Sequence, residues 1–235
     1  ERSSHTIVTL RGGGIVFWFA SLFYFILNFR TNYLFFTAIT LVSFVSFYDD
    51  IKSLPSKTRF LIQLIAVGVI FYDLNIFNLY PPLYIVCGFV ISIGIINAFN
   101  FMDGINGISG LYSLIVLFSL SYTNLHIKSF IDNDFLVFPM IACLVFLFFN
   151  YRKRARCFAG DIGSISIAFW IIYALTKLII ETNSLVWLLF LALYGVDTVC
   201  TIIHRLVVKQ NIFQPHRMHF YQILSNECKV DHRIV

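Results

Sequence analysis

Eight apolar stretches, separated by short polar turns, leave this chain few ways to satisfy its backbone. They run over residues 14–29, 33–47, 60–72, 83–99, 107–122, 135–149, 164–180 and 184–203. In hydrocarbon every N–H and C=O must bond within the protein, so only helices and closed barrels span a bilayer. These runs do not alternate apolar with polar residues as barrel strands do, and helices follow. A hydrocarbon core about 30 Å thick takes roughly 17–25 helical residues. Several runs are shorter, and polar ends or a thin local bilayer must make up the difference. Composition agrees: 59% of the 235 residues are hydrophobic, 12% are charged and 27 are Phe, with a mean hydropathy of +0.82. A soluble domain carries about 25% charged residues. The expected fold class is all-α: a polytopic transmembrane helical bundle of about eight membrane-spanning helices, forming a single domain over residues 1–235. The chain opens without Met and stops at His232-Arg233-Ile234-Val235, so it is expected to be a piece of a longer protein, incomplete at both ends.

A net charge of +5 invites a nucleic-acid reading, but its placement argues otherwise. With a cytoplasmic N-terminus, the inner segments hold Arg2, Arg11, Lys52, Lys57, Arg59, Arg152, Lys153, Arg154, Arg156, Arg205, Lys209, Arg217, Lys229 and Arg233, while the outer ones hold only Arg30, Lys128 and Lys177. Fourteen against three is the positive-inside bias of a membrane protein, and no nucleic-acid partner is needed. The five cysteines, Cys87, Cys143, Cys157, Cys200 and Cys228, form no C-x-x-C pair and read as packing residues.

The same topology puts four polar segments on one membrane face: FYDDIKSLPSKTRFLIQ, NAFNFMDGINGIS, FNYRKRARCFAGDIGS and PHRMHFYQ. In the first, Asp49 and Asp50 are adjacent carboxylates that repel each other, which a divalent cation or a nearby base would relieve. A solvated helix end is the bland alternative. In the second, Asn97, Asn100 and Asp103 share a helix face if the fourth run continues through them, followed by Gly104, Gly107 and Gly110. In the third, Asp161 or Ser164 would cap the seventh helix, or that helix end would attract phosphate while Asp161 holds a cation. In the last, His216, Arg217 and His219 offer metal ligands, phosphate donors or acid–base groups; too few ligands surround them for a closed zinc site. Asp197 lies inside the eighth run, where a carboxylate is a functional candidate by default or a partner for Arg205. The Arg11-Gly12-Gly13-Gly14 opening would cradle a phosphate, admit a lipid headgroup, or simply turn.

Taken in this order, the segments from ERSSHTIVTLRGGG to HRMHFYQIL, nearly the whole chain, resemble the polyprenyl-phosphate N-acetylhexosamine-1-phosphate transferase superfamily, glycosyltransferase family 4. PHRMHFYQ is most similar to the O-antigen-initiating branch; the related phospho-MurNAc-pentapeptide translocases carry adjacent histidines there. Asn106 stands where that translocase branch has an aspartate, and Ala159 where the family usually has Met. The resemblance implies an enzyme of the EC 2.7.8 type at the bacterial cytoplasmic membrane. The phosphate oxygen of undecaprenyl (polyprenyl) phosphate attacks the β-phosphate of a UDP-N-acetylhexosamine and releases UMP, with Mg2+, or Mn2+ in its place, as cofactor. It further implies catalytic roles for Asp49, Asp50, Asp161, His216 and His219, metal binding by Asp161 and Asp103, and substrate binding by Asn100, Asp103, Gly104, Ile105, Asn150, Phe158 and Arg217. The partners are then the UDP-sugar, the polyprenyl phosphate and the bilayer, with a homodimer compatible with that picture. Two other readings stand beside it. A transporter would place polar groups at the membrane midplane, where only Asp197 lies. An inactive family fragment would have no reason to keep its carboxylates.

Overall fold

The computed structural model describes residues 10–29, 32–211 and 217–235. Arg30 and His216 lie outside the described residues. Among the described residues nine helices of four residues or more account for most of the length: α1 (Ile15–Leu27), α2 (Tyr33–Ile51), α3 (Ser56–Asp73), the short α4 (Ile76–Leu79), α5 (Pro82–Met102), α6 (Ile108–His126), α7 (Asn133–Asn150), α8 (Gly160–Thr182) and, after a 3-10 segment Leu185–Leu191, α9 (Ala192–Val207). A three-residue turn, α10 (Phe220–Gln222), leads into a π-helical stretch, Ile223–Glu227. No strand occurs among the described residues; Leu10 and Cys157 form an isolated parallel bridge.

Every one of the eight apolar runs is helical, and among the described residues six segments are by themselves long and apolar enough to cross a membrane: α2, α5, α6, α7, α8 and Leu185–Val207. α1 has only 13 residues. α3 has 18 but carries Lys57, Arg59 and Asp73, too polar a set for an uninterrupted hydrocarbon span.

α8 is the hub. Inside its apolar window 83% of residues are buried, against 22–44% in the other five spans, so the outer helices present Leu, Val, Ile and Phe to lipid while α8 is wrapped by protein. Aromatic side chains fill the space around it. Phe35 of α2 and Phe135 of α7 meet with ring centroids 4.7 Å apart, Trp170 of α8 lies 5.4 Å from both, and its indole N–H donates to the Phe135 carbonyl at 2.8 Å. The indole thus buries its large apolar ring without orphaning its polar tip. At one end of the bundle the Tyr173 hydroxyl donates to Asp73 at 2.7 Å, and Asn32 donates to the Tyr24 hydroxyl at 2.7 Å, so α1, α2, α3 and α8 are stitched by side chains there.

At the opposite end the stitching is backbone. Gly13 N–H donates to the Phe158 carbonyl at 2.9 Å, Gly14 N–H to the Ala159 carbonyl at 3.1 Å and Phe158 N–H to the Leu10 carbonyl at 2.9 Å. The glycine triplet is therefore occupied with the chain before α8. A Cβ on Gly14 would lie 2.1 Å from the Gly163 Cα, so the two helix starts touch at a spacing only paired glycines permit.

Gly14→Ala should therefore cost about 3 kcal/mol or more, because overpacking against backbone cannot relax by rotamer change. Gly94→Ala, in α5 with no atom within 4 Å of the added Cβ, should be neutral or slightly stabilising. Melting temperatures of the two variants in detergent, measured side by side, check the contrast.

Candidate active site

Five helix ends converge at the glycine-stitched pole. α2 delivers Asp49 and Asp50 in its last turn, α5 ends in Asn100 and Asp103, α7 ends at Asn150, α8 begins with Asp161, and α3 brings Arg59. Between them lies a cavity of 560 Å³ lined by Arg11, Asp49, Asp50, Ile51, Ser53, Arg59, Asn100, Asp103, Gly104, Ile105, Asn150, Phe158, Ala159 and Asp161. Nine of the twelve residues singled out from sequence are on that wall. His216 is outside the described residues, while Arg217 and His219 are not among the lining residues.

The two adjacent aspartates are separated in role by their partners. Asp50 reaches across to the first turn of α8, where its Oδ1 accepts from Asp161 N–H at 3.0 Å and its Oδ2 from Ile162 N–H at 3.1 Å. Neither Ser164 nor Asp161 caps α8; the cap is a carboxylate supplied by another helix. It satisfies two of the orphan donors that every helix start leaves and sits at the positive end of the dipole. Gly160 makes the approach possible: its φ is +71°, and a Cβ there would lie 2.5 Å from Asp50 Oδ2. Asp49 is turned the other way. Its Oδ1 accepts from Leu54 N–H, and its Oδ2 pairs with Arg59 Nη1 at 3.2 Å. With a side chain only 6% exposed, Asp49 is held in one geometry.

Arg59 also lies 3.7 Å from Asp161 Oδ2, while Asp161 Oδ1 accepts from Asn100 Nδ2 at 2.8 Å. Asn97, one turn earlier, donates to Gln63 of α3 at 3.2 Å and is structural. Asp103 accepts from the Ser109 hydroxyl at 2.7 Å. Burial pushes the Asp103 carboxyl up to about 7; the Ser109 hydroxyl draws it back, and the Asp161 and Asp50 charges raise it further.

Asn150 uses its amide on both sides. Its Oδ1 accepts from Gly107 N–H at 2.6 Å and its Nδ2 donates to the Cys157 carbonyl at 2.8 Å, so it ties the loop after α5 to the loop before α8. Asn106 is buried and donates to the Arg152 carbonyl at 2.8 Å. His219 is 2% exposed, because its ring packs between Asp197 and the end of α5. The partner of Asp197 is this histidine, at 3.1 Å, rather than Arg205. Arg11 and Arg59 are cavity-lining cations that charge counting alone assigned to topology or left undecided; only their neighbours in space give them a place.

The cavity wall carries four carboxylates and two guanidinium groups, a formal excess of two negative charges. All its candidate metal donors are oxygens, and among the described residues no group of three or more His, Cys, Asp or Glu is arranged to hold an ion alone. That donor set fits Mg2+, which takes one or two carboxylates and completes its shell with water and substrate phosphates. Asp161 and Asp103 are the residues that would hold it. Gly104, Ile105 and Phe158 add apolar and backbone surface to the same wall.

The model of the family described as glycosyl transferase family 4 matches residues 32–179, well over half of the chain. The chain is similar to a probable undecaprenyl-phosphate N-acetylglucosaminyl 1-phosphate transferase of Bacillus subtilis (strain 168), 27% identical over 80% of this chain and 58% of that protein. It is similar also to a phospho-N-acetylmuramoyl-pentapeptide-transferase of Petrotoga mobilis (strain DSM 10674 / SJ95), 31% identical over 66% of this chain and 56% of that protein. A Streptococcus pneumoniae (strain Taiwan19F-14) phospho-N-acetylmuramoyl-pentapeptide-transferase is 28% identical over 55% of this chain and 45% of that protein. The chain thus spans about half the length of the curated relatives it matches.

Two predictions follow from the carboxylates. Asp50→Ala removes the cap on α8 and should cost about 1 kcal/mol of stability, with Asp50→Asn, which keeps one acceptor oxygen, losing less; detergent melting curves check the order. Asp103 has a folded pKa above its ordinary 3.8, so the proton stabilises the fold below about pH 4, and that contribution is lost as pH rises through about 7. In the presence of a chelator, Asp103→Asn should therefore melt above the wild type at pH 8, and the gap should close towards pH 4.

Proposed function

Because this chain belongs to glycosyl transferase family 4, we propose that it transfers an N-acetylhexosamine-1-phosphate unit from a UDP-sugar to a polyprenyl phosphate, undecaprenyl phosphate above all, and releases UMP. The observation that carries the reading is the convergence of Asp49, Asp50, Asn100, Asp103 and Asp161, from three separate helix ends, on one cavity that also holds Arg11 and Arg59. Scattered topology charges have no reason to meet in this way. The eight apolar runs then all traverse the membrane, α1 and α3 drawing on their polar ends or on a locally thinned bilayer, with the cavity at the cytoplasmic face. An interfacial site suits a lipid acceptor that stays in the bilayer and a nucleotide sugar that stays in water.

The chemistry needs an acceptor phosphate oxygen to form a bond to the β-phosphorus while the bond from that phosphorus to the UMP oxygen breaks. Mg2+, when bound, supplies charge neutralisation on the diphosphate. Asp161 and Asp103 provide the oxygens that hold the cation, with Asn100 fixing the Asp161 carboxylate. Arg11 and Arg59 offer guanidinium groups to phosphate oxygens, the geometry arginine recognises best. Asp49, locked by Arg59 and Leu54, orients the acceptor phosphate through that shared arginine. Asp50 acts by holding the start of α8, and with it Asp161, in place. Phe158 offers a face for uracil, with the backbone of Gly104 and Ile105 on the same cavity wall. The product would start an O-antigen or another cell-surface glycan.

The test is transfer of radiolabel from a panel of UDP-N-acetylhexosamines into lipid by the full-length protein with undecaprenyl phosphate and magnesium. Magnesium-dependent lipid product with UMP release is expected, and Asp161→Asn should lower it by at least about a thousandfold. No product from folded protein with any sugar would sink the reading, and near-wild-type transfer by Asp161→Asn would sink the assigned ligand.

A further inference from the structure

A second polar cluster lies beside the cavity without lining it. Asp197 sits in α9, within the apolar span Leu185–Val207, and both of its carboxylate oxygens are engaged by one short segment. Oδ2 lies 3.1 Å from His219 Nδ1, and Oδ1 accepts from Phe220 N–H at 2.9 Å. The pair is sequestered, with side chains 3% exposed for His219 and 13% for Asp197. Thr201, one turn further along α9, places its hydroxyl 3.4 Å from the same Nδ1. A carboxylate on a lipid-crossing helix is expensive to keep, and here it is spent on the chain that follows α9.

What that segment touches gives the expense a purpose. Tyr221 packs its ring against His219, with centroids 5.9 Å apart, nearly parallel. Its hydroxyl donates to the Phe101 carbonyl at 2.9 Å, at the end of α5. Gly104 lies so close that a Cβ there would be 2.2 Å from the Tyr221 hydroxyl oxygen. Gly104 and its neighbours Asp103 and Ile105 form one wall of the cavity. A continuous set of contacts therefore runs from Asp197 through His219, Phe220 and Tyr221 to the wall that carries Asp103.

We infer that Asp197 is a positioning residue: it keeps a proton on His219 Nδ1, anchors the 219–222 segment to α9, and through Tyr221 sets the Asp103–Ile105 wall of the active cavity. This rests on the transferase reading for its kinetic consequence but not for its geometry. A carboxylate can only accept, so the pairing requires the Nδ1 proton. The Gln222 N–H donates to the His219 carbonyl at 2.9 Å and also faces the imidazole in a capping-box arrangement; without the carboxylate, that donor would favour a bare Nδ1 and move the proton to Nε2. Asp197→Asn is the discriminating change, since its amide can still accept from Phe220 yet turns a second donor towards the ring. A wall displaced by about 1 Å can cost about a hundredfold in rate.

The test uses the full-length protein in lipid nanodiscs and has two arms. In the first, 15N-histidine spectra are recorded, with the His219 signal among the six histidines assigned by its loss in His219→Gln. The wild type should show a protonated Nδ1, and Asp197→Asn a bare one. A bare Nδ1 in the wild type, or no change in the variant, overturns the pairing. In the second arm, Asp197→Asn should lower turnover about tenfold or more with the donor KM within about twofold. Tyr221→Phe should act in the same direction, and the double variant should be no slower than the slower single one, because both lie on one line of contact. Wild-type turnover in Asp197→Asn, or effects that multiply, overturns the positioning. A wild-type protein inert to every donor would sink the transferase reading, and the imidazole signal would still decide the pairing.

Discussion

The Asp50 carboxylate holding the N–H groups of Asp161 and Ile162, the second and third residues of α8, is the contact on which the rest of the site depends. α8 is the most buried span, and its first turn carries Asp161. An uncapped start there would leave donors unsatisfied beside a cavity already rich in charge. By reaching across from α2, Asp50 fixes the direction in which α8 enters the bundle, and it does so with a residue whose sequence neighbour, Asp49, is committed elsewhere. Two adjacent carboxylates can coexist because one is neutralised by a helix end and the other by Arg59. Gly160 is the permissive element: its positive φ and missing Cβ admit the carboxylate.

Structure of this kind trades stability for chemistry. Asp103 is kept where burial and two neighbouring carboxylates oppose its ionisation, a cost borne by the aromatic packing around Phe35, Phe135 and Trp170 deeper in the bundle. Clusters that perturb titration in a cleft mark functional sites more often than structural ones. Here the cluster coincides with residues that motif order alone had gathered.

Much of the architecture could be read from the residues. Uninterrupted apolar runs specify helices because nothing else satisfies the backbone in lipid, and all eight runs are helical. Asn100, Asp103 and Asp161 were legible because their spacing and the shared membrane face put them together. What stayed hidden were pairings between distant segments. Nothing in FYDD says that the second aspartate binds N–H groups more than a hundred positions away. Nothing in PHRMHFYQ says that His219 is buried against an aspartate one helix earlier; a histidine in a polar segment looks exposed until its partner is seen. The number of spans is less legible for a simpler reason: an apolar run marks a helix, whereas length and few charges mark a span, and α1 and α3 do not meet both by themselves. The glycine triplet was ambiguous because a phosphate cradle and a tight backbone contact call for the same residue.

That contact has a genetic corollary. Where two helices meet through side chains, a bulky replacement on one can be offset by a smaller residue on the other. Gly14 and Gly163 meet backbone to backbone, and the facing residue has nothing left to shed. A lesion at either glycine should have no intragenic suppressor at the other, and revertants should restore the original codon instead.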